Sequence, residues 1–223
     1  MSFFEQLQTR SESGRAYLME APVIRRALEG QIGLEDYVAF LSQAYHHVKH
    51  TVPLLMATGA RLPERMEWLR EAVAEYIEEE LGHQEWILND IEACGFDKEK
   101  ARACRPNPST ELMVAYAYDT VNRVNPLGFF GMVHVLEGTS IRIADAAAQS
   151  IKQSLELPAN AFSYLRSHGA LDLEHVKFFE GLMNRIDDPG EQAQIVHSAN
   201  MFYTLYGNVF REISPAQAQS LAA

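Results

Sequence analysis

Apolar residues recur with helical spacing through nearly the whole chain, and no stretch alternates apolar and polar residues between turn signals as a half-buried strand would. Such a chain can bury its apolar stripes only by packing helix on helix, so the expected class is all-α. Residues from about Leu34 to about Ala60 read as one long helix, opened after Gly33 and kinked or broken at Pro53. Pro63-Glu64 starts the clearest helix, which runs to about Cys94 with Gly95 beyond its end. Arg105-Pro106-Asn107-Pro108-Ser109 is a loop, after which Ser109 or Thr110 can cap a helix through about Arg123. Asn125-Pro126 ends it, and another long helix follows to about Leu155, stopped by Pro158. A shorter helix from about Ala159 to His168 and one more to about Ile186 precede the turn Asp187-Asp188-Pro189-Gly190 and a last helix, about Glu191 to Ile213.

With the short N-terminal segments, this reading gives a single compact bundle of about seven to nine helices, and no repeat period points to a solenoid. One domain over residues 1–223 is expected, with a short N-terminal segment and an Ala/Gln-rich tail at 214–223 as flexible ends. A formal net charge of −11, with no basic stripe to offset it, argues against nucleic-acid binding. No apolar run approaches the ~18 residues of a membrane helix. The N-terminus lacks a basic stretch followed by an apolar one, so a cytoplasmic location is the default. Cys94 and Cys104 sit in no Cys-x-x-Cys pair and read as reduced bystanders.

Chemistry gathers in three places. In Glu78-Glu79-Glu80-Leu81-Gly82-His83, Glu80 and His83 are three apart and Glu79 and His83 four apart, so one helical face carries a carboxylate beside an imidazole. Taken alone, such a pair is more often a solvated surface pair. His168, Asp172 and His175 follow at i, i+4 and i+7, within about 60° of one another around a helix. Their stripe continues into Phe179 and Leu182, an apolar direction, and the competing reading is a hydrogen-bonded His/Asp network. Glu137 stands in the apolar stretch Phe129 to Thr139, where a buried carboxylate needs a partner, either a cation such as Arg142 or a metal. Three carboxylates and three imidazoles from three helices suit iron or manganese; calcium would take oxygen ligands, and structural zinc usually takes thiolates.

The order Glu-x2-His, lone Glu, His-x3-Asp-x2-His resembles the heme-oxygenase-like di-metal oxidases and oxygenases, whose members include fatty-acid decarboxylases that make terminal alkenes and N-oxygenases. It is not the ferritin arrangement, which needs two Glu-x-x-His helices and two lone glutamates. The resemblance implies two irons per chain, with Glu80, His83 and His168 grouped around one and Glu137, Asp172 and His175 around or between the other; Glu79 is the alternative to Glu80. It also implies dioxygen as co-substrate. The wider pattern, from about Pro22 to Ile213, resembles the TenA/PqqC superfamily and implies the heme-oxygenase-like bundle. A TenA-type thiaminase would place a nucleophilic cysteine between about Phe129 and Thr139, and this chain has none there.

In Tyr45-His46-His47-Val48-Lys49-His50, His46 and His50 share one face and His47 and His50 another. One of them is expected to reach the central cavity and help bind substrate or orient a ligand, and His134, one turn before Glu137, is a further candidate behind the ligands. The expected function is oxidation of a small organic substrate by a non-heme di-iron centre and dioxygen, in a water-poor interior. Three carboxylates against two divalent ions leave the site at about +1, so a carboxylate-bearing substrate is in keeping with it. The competing class is a bundle that holds heme or another small cofactor without di-iron chemistry, with His46, His47 or His50 as the heme ligand. A small-molecule substrate, an unspecified electron donor and a symmetric homodimer complete the expectation.

Overall fold

The computed structural model describes residues 1–170 and 172–222, apart from the side chains of 168–174. Among the described residues the chain is nearly all helix, with no strand beyond a single bridge pair, Phe96 with Ala222. Three short helices open it: α1 (Phe3–Arg10), α2 (Glu12–Met19) and α3 (Pro22–Leu28). The middle holds α4 (Leu34–Val48), α5 (Thr51–Arg61), α6 (Glu67–Glu80), α7 (His83–Ala93), α8 (Lys98–Ala103) and α9 (Pro108–Asp119). Then come α10 (Phe129–Leu155), α11 (Ser163–Ala170), α12 (Asp172–Met183), α13 (Pro189–Glu212) and α14 (Pro215–Gln219). No helix is long and apolar enough to cross a membrane among the described residues.

These are more and shorter helices than the pattern predicts, and the differences have local causes. The break expected at Pro53 falls at Lys49-His50, and Pro53 sits in the first turn of α5, where a missing N–H removes no helical bond. The helix expected over Pro63 to Cys94 is a 3₁₀ turn (Glu64–Met66) followed by two helices. They are parted at Leu81-Gly82, where Gly82 has φ +92°. Asn107, not Ser109 or Thr110, takes the capping position of α9, with Pro108 as its first residue. Thr110 and the Asn107 amide instead donate to the side-chain oxygen of Gln43 on α4. α9 ends at Asp119 and continues as a π-helical turn, Thr120–Val124. The segment expected as a loose tail forms α14 against α4, with Ala218 and Leu221 buried and the Asp97 amide bonded to the Leu221 carbonyl.

The core lies around α10, against which α3, α11, α12 and α13 pack. α10 meets the backbone of α13 at Gly131, where an added Cβ would come within 2.6 Å of the Ala199 amide and 2.9 Å of the Ile195 carbonyl. Only a residue without a side chain allows that backbone approach. On the other side α4 packs on α7, which brings His46 and His47 on α4 and His83 on α7 into the interior.

Candidate metal centre

A cavity of about 140 Å³ runs through the bundle, comparable to the roughly 150 Å³ cavity that holds one benzene. Its wall follows α10 from Phe129 to Ile151, about 33 Å of helix, so the space is drawn out rather than round. α3 supplies Val23, Ile24 and Ala27; α4 supplies Tyr37, Phe40 and His47; Tyr164 of α11 and Tyr206 of α13 close the side. Among the described residues that line it, the only acids are Glu80 and Glu137, and no lysine or arginine reaches it.

The acidic end is built by the last turns of α6. Tyr76, Glu80 and, across the Gly82 break, His83 stand at i, i+4 and i+7. The break does not separate the pair: His83 Nδ1 donates to Glu80 Oε2 at 3.1 Å, with His83 buried and Glu80 at 23% exposure. Glu79 is half exposed and faces His175, with 3.6 Å between Oε2 and Nε2. Tyr76 is buried, and its phenol is raised well above its ordinary range, first by burial and then by the charges of Glu137, Glu79 and Glu80. Tyr164 is raised too, by burial, with Tyr206 and Glu80 adding to it. The charges of Glu79, Glu80 and Glu137 therefore all act on Tyr76, with His83 held to Glu80 and His175 facing Glu79.

His168 and Asp172 belong to α11 and α12, and their side chains lie outside the described residues. Among the described residues no three histidines, cysteines or acids are gathered tightly enough to hold a metal ion as they stand. The donor set nonetheless fits iron in kind: two carboxylate–imidazole pairs, Glu80 with His83 and Glu79 with His175, and Glu137 on the cavity wall, with all three carboxylates acting on Tyr76. Arg142, the other partner considered for Glu137, is exposed and turns its charge toward His134 and Tyr203.

The three neighbouring histidines part company. His47 is buried, lines the cavity and meets the Tyr206 ring edge-on at 5.5 Å. His46 points to Cys104, with Nε2 at 3.2 Å from Sγ, while Lys49 donates to its Nδ1; His50 meets the Tyr118 hydroxyl at 3.1 Å. Neither lines the cavity. His134 lies on another face of α10, where Nε2 donates to Ser11, whose own hydroxyl is given to the Leu7 carbonyl. It is enclosed by Phe4, Phe179 and Tyr203 rather than standing behind the acidic end. Cys94 and Cys104 are free thiols, Cys94 buried and pushed up to about 12 by burial and Asp90.

Sequence reasoning passed over Tyr76, although its position one turn before Glu80 would have marked it. It also passed over Asp90, whose role depends on a helix 73 residues away.

A family model described as iron-containing redox enzyme matches residues 38–207. No curated protein matches the sequence. Among solved structures, a Shewanella denitrificans domain of unknown function with a heme oxygenase-like fold superposes with a TM-score of 0.83 at 21% identity, covering 96% of this chain and 92% of that one. A TenA homologue from Pseudomonas syringae gives 0.78 at 13% identity, covering 95% and 91%. Heme oxygenase from Leptospira interrogans gives 0.76 at 15%, covering 95% and 100%. At such identities the likeness is one of fold, and the fold is heme oxygenase-like.

Proposed function

Since the chain belongs to the iron-containing redox enzyme family, we propose that it is a non-heme di-iron oxidase or oxygenase that uses dioxygen to oxidise a small, largely apolar organic substrate with a polar end, such as a carboxylate. The observation that carries this reading is that Glu80 and Glu137 line an otherwise apolar cavity and both act on Tyr76, with His83 on Glu80 and His175 facing Glu79.

Glu80, His83 and His168 would hold one iron and Glu137, Asp172 and His175 the other, and the metal would supply the redox chemistry toward dioxygen. The chain's own residues bind and orient the substrate. Apolar walls from α3 and α10 take its hydrocarbon part and keep water out, while His47 and the ring of Tyr206 flank the path to the acidic end. With no lysine or arginine in the described lining, an anionic group on the substrate has the metal end as its place to bind. An external electron donor and a homodimeric assembly belong to the same proposal.

The test is metal content per chain after anaerobic iron(II) loading, for wild type, His83→Ala and His175→Ala, followed by mixing with oxygen under optical observation. About two irons in the wild type, clear losses in both variants and an oxygen-dependent absorbance change are expected. Failure of the wild type to retain iron would overturn the reading. An intense Soret band after heme addition, lost in His47→Ala, would favour the heme-binding alternative.

A further inference from the structure

Asp90 is fully buried on α7, and both of its carboxylate oxygens are committed to another helix. Oδ1 accepts from the Ser163 amide at 3.0 Å and from the Ser163 hydroxyl, and Oδ2 accepts from the Tyr164 amide at 2.9 Å. These amides are the first donors of α11, which have no partner inside the helix. A helix start is ordinarily capped by a residue beside it in sequence; here the cap comes from 73 residues earlier. The negative charge also sits where the helix dipole favours it. Burial raises the Asp90 carboxyl above its ordinary value, and the bonds from Ser163 and Tyr164 oppose part of that rise.

What the clamp joins gives it a role beyond stability. On α7, Asp90 lies seven residues after His83, two turns further along nearly the same face. On α11, the clamped Tyr164 lines the cavity, where its phenol feels the charge of Glu80, and His168 follows four residues later in the same helix. One carboxylate thus fixes the helix that begins with His83 against the helix that carries His168. We propose that Asp90 is a positioning residue for the metal centre, setting the separation of α7 and α11 so that donors from both can serve one iron; this rests on the di-iron reading above.

The test compares wild type with Asp90→Asn, Ser163→Ala and Asp188→Ala. The last removes the cap of α13, whose side chain accepts from the Glu191 amide away from the cavity, and serves as the control for losing a helix cap. Two quantities are measured: the melting temperature of the metal-free protein, and the iron(II) dissociation constant by competition with a colorimetric chelator. Asp90→Asn is expected to weaken iron binding about tenfold or more, and Ser163→Ala less in the same direction. Asp188→Ala is expected to lower the melting temperature and leave iron affinity unchanged. A folded Asp90→Asn protein with wild-type affinity overturns the proposal, and so does wild-type affinity in Ser163→Ala if Asp90→Asn fails to fold. Absence of iron binding by the wild type overturns the di-iron reading itself, and this proposal with it.

Discussion

His134 shows how a histidine one turn from Glu137 can be close to the metal centre in sequence and apart from it in chemistry. Burial, with Arg15 and Arg142 adding to it, lowers its pKa from 6.5 to about 4. The folded protein therefore keeps it neutral, while the unfolded chain takes up a proton as pH falls below 6.5. Its contribution to stability is full above pH 6.5 and is lost as pH falls through about 4, a change on the order of 3 kcal/mol. Melting temperature measured from pH 7 to pH 4 should drop in the wild type and drop less in His134→Leu; equal slopes would show that His134 is not the group responsible. Residue identity was legible in the sequence where chemistry is strict. Glu80 and His83 were marked by their spacing and Glu137 by its apolar neighbours, and His47 is the one of the three adjacent histidines that lines the cavity. His134 did not follow the pattern, because helical spacing tells which turn a residue occupies and not which neighbouring helix lies against it.

The helices themselves were largely legible, since prolines and glycines mark their ends and apolar stripes mark their faces. The long α10 ends at Leu155 as expected, whereas the turn expected over Asp187 to Gly190 lies earlier, since α12 ends at Met183 and Pro189 and Gly190 already form the first residues of α13 behind the Asp188 cap. The break between α6 and α7 was not legible, because Glu80 and His83 keep the same spacing whether or not a glycine between them leaves the helix. Gly82 carries φ +92° with no atom within 4 Å of where a Cβ would stand, so Gly82→Ala meets backbone strain and no clash. We expect it to destabilise the protein by about 1–2 kcal/mol in urea unfolding. The Glu80–His83 contact should survive, because residues three apart share a face of a continuous helix as well. Unchanged stability would mean that position 82 relaxes to a helical conformation without cost.

At the scale of the whole molecule, the all-helical bundle was legible from periodicity, whereas the cavity was not, because a void arises from side chains of several helices that do not quite meet. Ala147 lines its far part on α10. Ala147→Leu should fill space there, leave the melting temperature near that of the wild type and abolish the stabilisation that benzene gives to the metal-free protein; wild-type benzene binding in the variant would show that the far part is not where small apolar ligands reside. Gly131, where α10 meets the backbone of α13, has a consequence of another kind. Most of the cavity wall can drift by exchanging one apolar side chain for another, because each exchange alters only the shape of the space. A side chain at position 131 would act as a wedge between the two longest helices and shift one of them whole. Divergence among relatives of this chain is therefore free to reshape what the cavity accepts while this crossing stays in place, and a lineage that loses the glycine must re-site a helix to do so.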